Sequence, residues 1–130
     1  MVSEYVLDAS AILSYLRREL GWEKVELILQ AEKHCISSVN YAEVVGKLAD
    51  KNLPQEAIYA TLDCLKLNIV DFSTAQALAC GLLKPSTKSI GLSLGDLACL
   101  ALAKERAGHV LTTDRIWSQL DIGIMISLVR

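Results

Sequence analysis

Aromatic residues and prolines are scarce in this chain of 130 residues. Phe, Trp and Tyr make up 5% of it, so we do not expect a platform of aromatic side chains on which bases stack. Two prolines and seven glycines are too few for a collagen-like or low-complexity chain. Apolar residues, in contrast, make up 52%, which excludes an intrinsically disordered chain. The length predicts a single domain over residues 1–130.

The sequence also lacks an excess of positive charge. It contains 13 Lys and Arg residues against 15 Asp and Glu residues, which gives a net charge of −2. No overall positive field therefore attracts nucleic acid. Any contact with nucleic acid must be local or carried by bound cations.

Long hydrophobic runs and paired cysteines are missing too. The longest apolar stretch, over residues 122–129, has the length of a strand, so we expect no membrane span. The first ten residues include an acidic residue and no basic segment, so we expect no signal peptide. The four cysteines form no CxxC pair, which argues against a zinc site. Together these features predict a cytoplasmic protein with reduced thiols.

Short apolar runs alternate with helical patterns along the chain. Strands are predicted over residues 5–7, 34–37, 68–72, 109–112 and 122–128. Helices are predicted over residues 9–20, 23–31, 39–50, 54–65, 73–83 and 93–106, with a short helical segment over 115–120 and a polar loop over 84–91. This alternation predicts an α/β fold in which a central parallel sheet of about five strands has helices on both faces.

Four acidic residues occupy positions where chemistry could take place. Asp8 and Asp114 directly follow the first and fourth predicted strands, and Glu43 lies in the helix after the second strand. Strand ends and the starts of the following helices share one edge of a parallel sheet, so topology places these three acids together. Asp96 joins them if its helix begins at the same edge.

Each acid also has an explanation that needs no chemistry. Asp8 and Asp114 could be N-caps, and Glu43 and Asp96 could be acids favoured near a helix start. However, Asp8 and Asp96 stand among apolar neighbours, where carboxylates held close together repel one another and resist ionisation. A divalent cation removes that cost. Oxygen ligands without paired His or Cys suit Mg²⁺ or Mn²⁺, which can promote hydrolysis of phosphodiester bonds.

Four short motifs follow one another in order, DASA over residues 8–11, NYAEV over 40–44, LGDLA over 94–98 and TTDRIW over 112–117. Together they resemble the PIN-domain ribonucleases, specifically the VapC toxins of prokaryotic toxin–antitoxin pairs. The resemblance covers essentially the whole chain. It implies a PIN-like fold and a Mg²⁺- or Mn²⁺-dependent endoribonuclease with a metal site formed by Asp8, Glu43, Asp96 and Asp114.

The same resemblance implies supporting residues and partners. Ser10 and Thr112 match hydroxyl residues that support the metal site, with Thr113 as an alternative to Thr112. The implied partners are an RNA substrate, a VapB-like antitoxin whose tail covers the active groove, and a second copy of the chain in a homodimer. The candidates for contacts with RNA phosphates are Lys84 and Lys88 in the predicted loop, and Arg115 beside Asp114.

Other interpretations stay open. A catalytically silent PIN-like module would act only through protein partners, and it would differ in binding neither Mg²⁺ nor Mn²⁺. In a globular domain whose acids merely cap helices, Asp8→Asn and Asp96→Asn would alter stability alone. A phosphatase with a phosphoaspartate intermediate is disfavoured, because Ser10 stands where such an enzyme needs a second Asp.

Overall fold

A computed structural model describes residues 4–31 and 33–130 and alternates strands with helices. The strands are β1 (Tyr5–Leu7), β2 (His34–Ser37), β3 (Ile69–Val70), β4 (His109–Thr112) and β5 (Met125–Leu128). The helices are α1 (Ala9–Leu16), α2 (Trp22–Gln30), α3 (Ser38–Asp50), α4 (Gln55–Cys64), α5 (Thr74–Thr87) and α6 (Leu94–Arg106), followed by a 3-10 helix over Arg115–Gln119. Among the described helices, none is long and apolar enough to cross a membrane.

All five strands pair in parallel, in the order β3-β2-β1-β4-β5. Successive residues of each strand face opposite sides of this sheet. Val6 packs in a hydrophobic cluster with α5 and α6, whereas its neighbour Leu7 packs in a second cluster with α1 to α4. The predicted α/β fold, with a parallel sheet covered by helices on both faces, is therefore confirmed.

The strand order reverses at β1. The strands β2 and β3 extend the sheet on one side of β1, and the later strands β4 and β5 extend it on the other side. Ligands of open parallel sheets bind at the carboxyl ends of the strands where the order reverses in this way. The backbone N–H of Asp8 donates to the carbonyl of Leu111 over 3.0 Å, so the ends of β1 and β4 lie side by side.

Helix α1 ends at Leu16, and its prediction as far as residue 20 was wrong. Arg18 takes a left-handed conformation with φ of 54°, which ends the helical run. Its guanidinium lies 4.5 Å from the ring centre of Tyr15 and 4.4 Å from that of Trp22. This cation–π contact between two helices stabilises an early end that the local sequence does not signal.

The predicted polar loop over residues 84–91 was also wrong in its first half, because α5 continues through Pro85 to Thr87. The Thr87 hydroxyl donates to the carbonyl of Leu83 over 2.9 Å and satisfies part of the last turn. Pro85 leaves the carbonyl of Gly81 without its helical partner, but Gly81 is exposed to water. Lys84 is consequently a helical residue, and Lys88 is the C-cap.

Candidate metal centre

An open pocket of about 300 Å³ lies at the carboxyl ends of β1 and β4. Its lining residues are Asp8, Ala9, Ser10, Leu13, Glu43, Lys47, Asp96, Thr113 and Asp114. The structure thus brings together all four acids that the sequence analysis selected. Asp96 reaches the pocket because α6 begins at Leu94, at this edge of the sheet.

Asp8 is the most buried of the four acids, with 6% of its surface exposed. Its Oδ2 accepts hydrogen bonds from Ser10 Oγ at 2.7 Å and from Thr112 Oγ1 at 2.9 Å. Although Asp8 immediately precedes α1, its side chain forms no capping hydrogen bond to that helix. The capping explanation therefore does not account for this residue.

Burial raises the pKa of the Asp8 carboxyl from 3.8 to about 6. The hydrogen bonds from Ser10 and Thr112 oppose this increase, and the negative charges of Asp96 and Glu43 add to it. The ionised form thus lacks a compensating positive charge in the described chain. A cation in the pocket would supply that charge.

The same two hydroxyls join the start of α1 to the segment after β4. Ser10 Oγ accepts from the backbone N–H of Thr113 at 3.0 Å, and Thr112 Oγ1 accepts from that of Asp114 at 3.1 Å. Thr112 is therefore the residue whose hydroxyl contacts the first acid, whereas Thr113 contributes its backbone to the network. These hydrogen bonds fix the position of the segment that carries Asp8 relative to the segment that carries Asp114.

Glu43 is held by a residue to which the sequence analysis gave no role. The Nδ2 of Asn40 donates to Glu43 Oε1 at 2.9 Å and to the carbonyl of Gly95 at 3.0 Å. The spacing of three residues on α3 could have indicated the first contact. The second contact joins positions 55 apart in sequence, and only the folded chain brings them together.

Asp114 is an N-cap and Asp96 is an acid in the first turn of α6, as the explanation without chemistry proposed for each. Asp96 forms a capping box with Ser93, whose backbone N–H donates to Asp96 Oδ2 at 2.9 Å. Asp114 Oδ1 accepts from the backbone N–H of Ile116 at 3.2 Å. Capping fixes the direction of each side chain and occupies only one of its oxygens.

One arrangement is common to all four carboxylates. Each uses one oxygen in a hydrogen bond within the protein, and over residues 4–31 and 33–130 the other oxygen accepts none. The oxygens left over are Asp8 Oδ1, Glu43 Oε2, Asp96 Oδ1 and Asp114 Oδ2. Four oriented carboxylates with one spare oxygen each are a donor set suited to a hard divalent cation.

In the described part of the chain, no three His, Cys, Asp or Glu side chains are arranged to hold a metal ion by themselves. The carboxylates border a common pocket without closing around one point. Mg²⁺ fits such a site, because it retains several waters and is commonly bound by one or two carboxylates together with substrate phosphates. The pocket therefore resembles an open site more than a closed structural one.

Lys47 is a pocket residue that the sequence analysis missed. It follows Glu43 by one turn of α3 and is exposed at the pocket. Its ammonium forms no ion pair with a carboxylate of the described residues. The spacing of four residues from a selected acid was the available signal.

The three predicted phosphate contacts do not line the pocket. Arg115 is exposed at the start of the 3-10 helix, beside Asp114. Lys84 and Lys88 are exposed at the end of α5. The structure therefore brings the acids and hydroxyls together but leaves these cations outside.

A family model for the PIN domain matches residues 5–123 of the chain. A chain of the DNA-bound VapBC complex of Salmonella typhimurium is similar, with 21% identity, coverage of 99% of this chain and 100% of that chain, and a TM-score of 0.78. VapBC2 of Rickettsia felis, bound to a promoter DNA fragment, gives 19% identity, coverage of 95% and 97%, and a TM-score of 0.76. VapBC-1 of nontypeable Haemophilus influenzae gives 19% identity, coverage of 96% of this chain and 97% of that chain, and a TM-score of 0.74. A search of curated proteins found no significant match.

Proposed function

This chain belongs to the PIN domain family, and on that premise we propose that it is a metal-dependent endoribonuclease, the toxin of a VapBC-like toxin–antitoxin pair. The observation that carries the proposal is the pocket in which four carboxylates each keep one oxygen free. Capping alone requires no such convergence of acids on one cavity. The similarity to chains of VapBC complexes supports the proposal through the shared fold.

Asp8, Glu43, Asp96 and Asp114 are the residues that would hold Mg²⁺ or Mn²⁺. When bound, the cation supplies neutralising charge to the phosphodiester and acidifies water for the attack on phosphorus. Asp8 Oδ2 accepts hydrogen bonds from the hydroxyls of Ser10 and Thr112, and these two bonds fix the orientation of the Asp8 carboxylate. Asp96 and Asp114 are oriented by backbone N–H groups at two helix starts.

RNA is the proposed substrate, and the charge of the pocket explains why a cation is needed. The net charge is −2, and four carboxylates border the cavity. Among residues 4–31 and 33–130, Lys47 is the one basic residue that lines it, so its ammonium is placed to meet an RNA phosphate. Lys84, Lys88 and Arg115 lie outside and would contact phosphates only farther along the strand.

Cleavage of structured cellular RNA tests this proposal. The purified chain is incubated in Mg²⁺, Mn²⁺ or EDTA beside Asp8→Asn and Asp96→Asn, each first shown to be folded. Asp71→Asn is the matched control, because Asp71 is exposed, follows β3 at the same edge of the sheet and does not line the pocket. We expect cation-dependent cleavage in the wild type and in Asp71→Asn, a loss of at least about 100-fold in the other two variants, and 5′-phosphate and 3′-hydroxyl ends.

Cation binding is measured in the same samples from the melting temperature. Cleavage that persists in EDTA, or equally in Asp8→Asn and Asp96→Asn, contradicts the proposal. An absence of both cleavage and a cation-induced increase in melting temperature supports the catalytically silent PIN-like module instead. A clear cation-induced increase in melting temperature without cleavage would support the metal site and would mean that other RNAs have to be tested.

The proposed protein partners are a VapB-like antitoxin and a second copy of the chain. The similar solved structures are VapBC structures, which supports an antitoxin partner for this chain as well. Sedimentation of the purified chain tests the homodimer. Protection of RNA by a co-expressed antitoxin candidate tests the other partner.

A further inference from the structure

We propose that Asn40 and Gly95 form a seat that positions the Glu43 carboxylate for the cation before the cation binds. The proposal deepens the function above and rests on it, because it assigns a role in cation binding to two residues that are not ligands. Asn40 is a positioning residue in this scheme. Glu43 remains the group that contacts the ion.

The side chain of Asn40 connects two helices inside the protein. It is fully buried on α3, and its Nδ2 donates to Glu43 Oε1 at 2.9 Å and to the Gly95 carbonyl on α6 at 3.0 Å. Both acceptors are oxygens, so the amide must face them with its nitrogen, since the flipped amide would bring three oxygens together.

The amide oxygen of Asn40 indicates that this residue does not serve stability alone. Asn40 Oδ1 is buried and has no hydrogen-bond partner among the residues that the structure describes. Buried polar atoms without partners are uncommon and destabilising. An apolar residue of similar size would avoid this unpaired oxygen, so the asparagine is explained by what its Nδ2 holds.

Gly95 completes the seat from the α6 side. A Cβ at this position would meet the Glu43 carboxylate, with Oε2 as the nearest atom, followed by Cδ at 2.5 Å and Oε1 at 2.6 Å, so one of the two groups would have to shift. The carboxylate therefore occupies the space that any other residue would fill with its side chain. Gly95 is itself buried, and its conformation is helical, so the close approach and not the backbone angle requires glycine.

Fixing Glu43 matters because its side chain is long and exposed on α3. A free glutamate samples several rotamers, and a cation that uses it must first select one. With Oε1 held by Asn40 and Oε2 lying against Gly95, the carboxylate of Glu43, a residue that lines the pocket, is confined to one position. Partners that orient a metal ligand in this way typically contribute about 10- to 100-fold to metal affinity.

Titration calorimetry with Mn²⁺ alone, in the absence of RNA, tests the seat. We expect Asn40→Ala to weaken Mn²⁺ binding by about 10- to 100-fold. Gly95→Ala is the second variant, since it displaces the flexible end of Glu43 and leaves the bond from Asn40 Nδ2 to the backbone carbonyl of residue 95 in place. We expect the same direction of change from it, with the melting temperature of the metal-free protein nearly unchanged.

The matched control is Gln76→Ala. Gln76 is a second buried amide, 3% exposed, whose Nε2 donates to the Glu105 carboxylate at 3.0 Å between α5 and α6. It does not line the pocket. Its removal is expected to lower stability as Asn40→Ala does, while Mn²⁺ affinity stays at the wild-type value.

A double-mutant cycle separates positioning from general loosening of the site. In a Glu43→Ala background, Asn40→Ala should cause no further loss of Mn²⁺ affinity, because the group that it positions is gone. An equal loss in both backgrounds overturns the proposal, as does wild-type affinity in folded Asn40→Ala and Gly95→Ala. If the wild type itself binds no Mn²⁺, the proposed metal-dependent function fails first, and the seat fails with it.

Discussion

At the residue scale, Asp8 holds a carboxylate where water is largely excluded. Its pKa is raised from 3.8 to about 6, chiefly by burial, so in the metal-free protein the native state binds this proton more tightly than the unfolded chain does. Ionisation of Asp8 therefore leaves the free energy of unfolding unchanged below about pH 4. It lowers this free energy progressively between pH 4 and 6, and the full cost is present above pH 6. The cost at neutral pH is of the order of 3 kcal/mol.

Asp8→Asn should consequently stabilise the metal-free protein. The asparagine carries no charge, and its amide oxygen can still accept from Ser10 and Thr112. We expect a gain of about 1–3 kcal/mol at pH 7.5 and almost none at pH 4, measured by urea unfolding in EDTA. A variant that is equally stable or less stable than the wild type at pH 7.5 would show that burial of this carboxylate has little cost.

The sequence was enough to find the acids of the pocket and the two hydroxyls that hold Asp8, but not the residues that hold Glu43. Asp8 and Asp114 follow strands that are neighbours in the sheet, so their proximity could be predicted from chain order and the rules for parallel sheets. Asn40 and Gly95 are brought together only by packing of α3 against α6. No local pattern reports a contact of that kind, and Asn40 was passed over for the same reason.

At the scale of elements, the start of α6 combines a structural role with a role in the pocket. Ser93 Oγ accepts from the backbone N–H of Asp96 at 3.2 Å, and Asp96 returns a bond to the Ser93 backbone. The helix predicted from residue 93 is confirmed, with Ser93 as its N-cap. The capping box fixes the side chain of Asp96, which lines the cavity, through Oδ2 alone.

Ser93→Ala should lower the free energy of unfolding by about 1 kcal/mol and weaken Mn²⁺ binding by a few-fold. Without its N-cap, the first turn of α6 is less ordered, and Asp96 lies in that turn. Urea unfolding and calorimetry measure the two effects. Ser73→Ala is the matched control, since Ser73 caps α5 through the backbone N–H of Gln76 at 3.1 Å away from the pocket. It should lower stability to the same extent and leave Mn²⁺ affinity unaltered. Equal effects of both variants on Mn²⁺ binding would contradict a local role for the Ser93 cap.

Helix starts were predicted better than helix ends, and the reason is physical. Ser37, Ser73 and Ser93 accept hydrogen bonds from backbone N–H groups, so the signals for these starts lie within a few residues of sequence. The end of α1 depends instead on Arg18 stacking between two rings, one of them on the next helix. At the end of α5, the hydroxyls of Ser86 and Thr87, which follow the proline, both donate to the carbonyl of Leu83, which precedes it.

At the scale of the whole molecule, the sheet order explains why one pocket collects these groups. β1 lies in the middle of the sheet and its two neighbours precede different helices, so the carboxyl end of β1 opens a crevice between them. Asp71 follows β3 at the same edge, but β3 is two strands away from β1, about 10 Å across the sheet. Position at the edge is therefore not sufficient to place an acid in the pocket, and a strand adjacent to β1 is needed for Asp114 to lie beside Asp8.

The charge of the molecule assigns a distinct role to Lys47. With a net charge of −2 and four carboxylates at the cavity, the pocket repels RNA unless positive charge is placed within it. In the proposed function a divalent cation would supply part of that charge, and Lys47 would add one more positive charge at the rim. Since the ammonium also repels the bound cation, its removal should act oppositely on the two ligands.

Lys47→Ala should therefore raise the KM for RNA by about 2- to 5-fold while Mn²⁺ affinity is unchanged or slightly higher, as expected for one exposed charge. Cleavage kinetics at low salt measure the first effect and calorimetry the second. The control is Lys51→Ala, one turn farther along the same face, exposed and outside the pocket. It should alter neither quantity. A loss of Mn²⁺ affinity in Lys47→Ala would mean that the lysine maintains the carboxylate arrangement and does not act on the RNA, because only a change in that arrangement can outweigh the relief of repulsion.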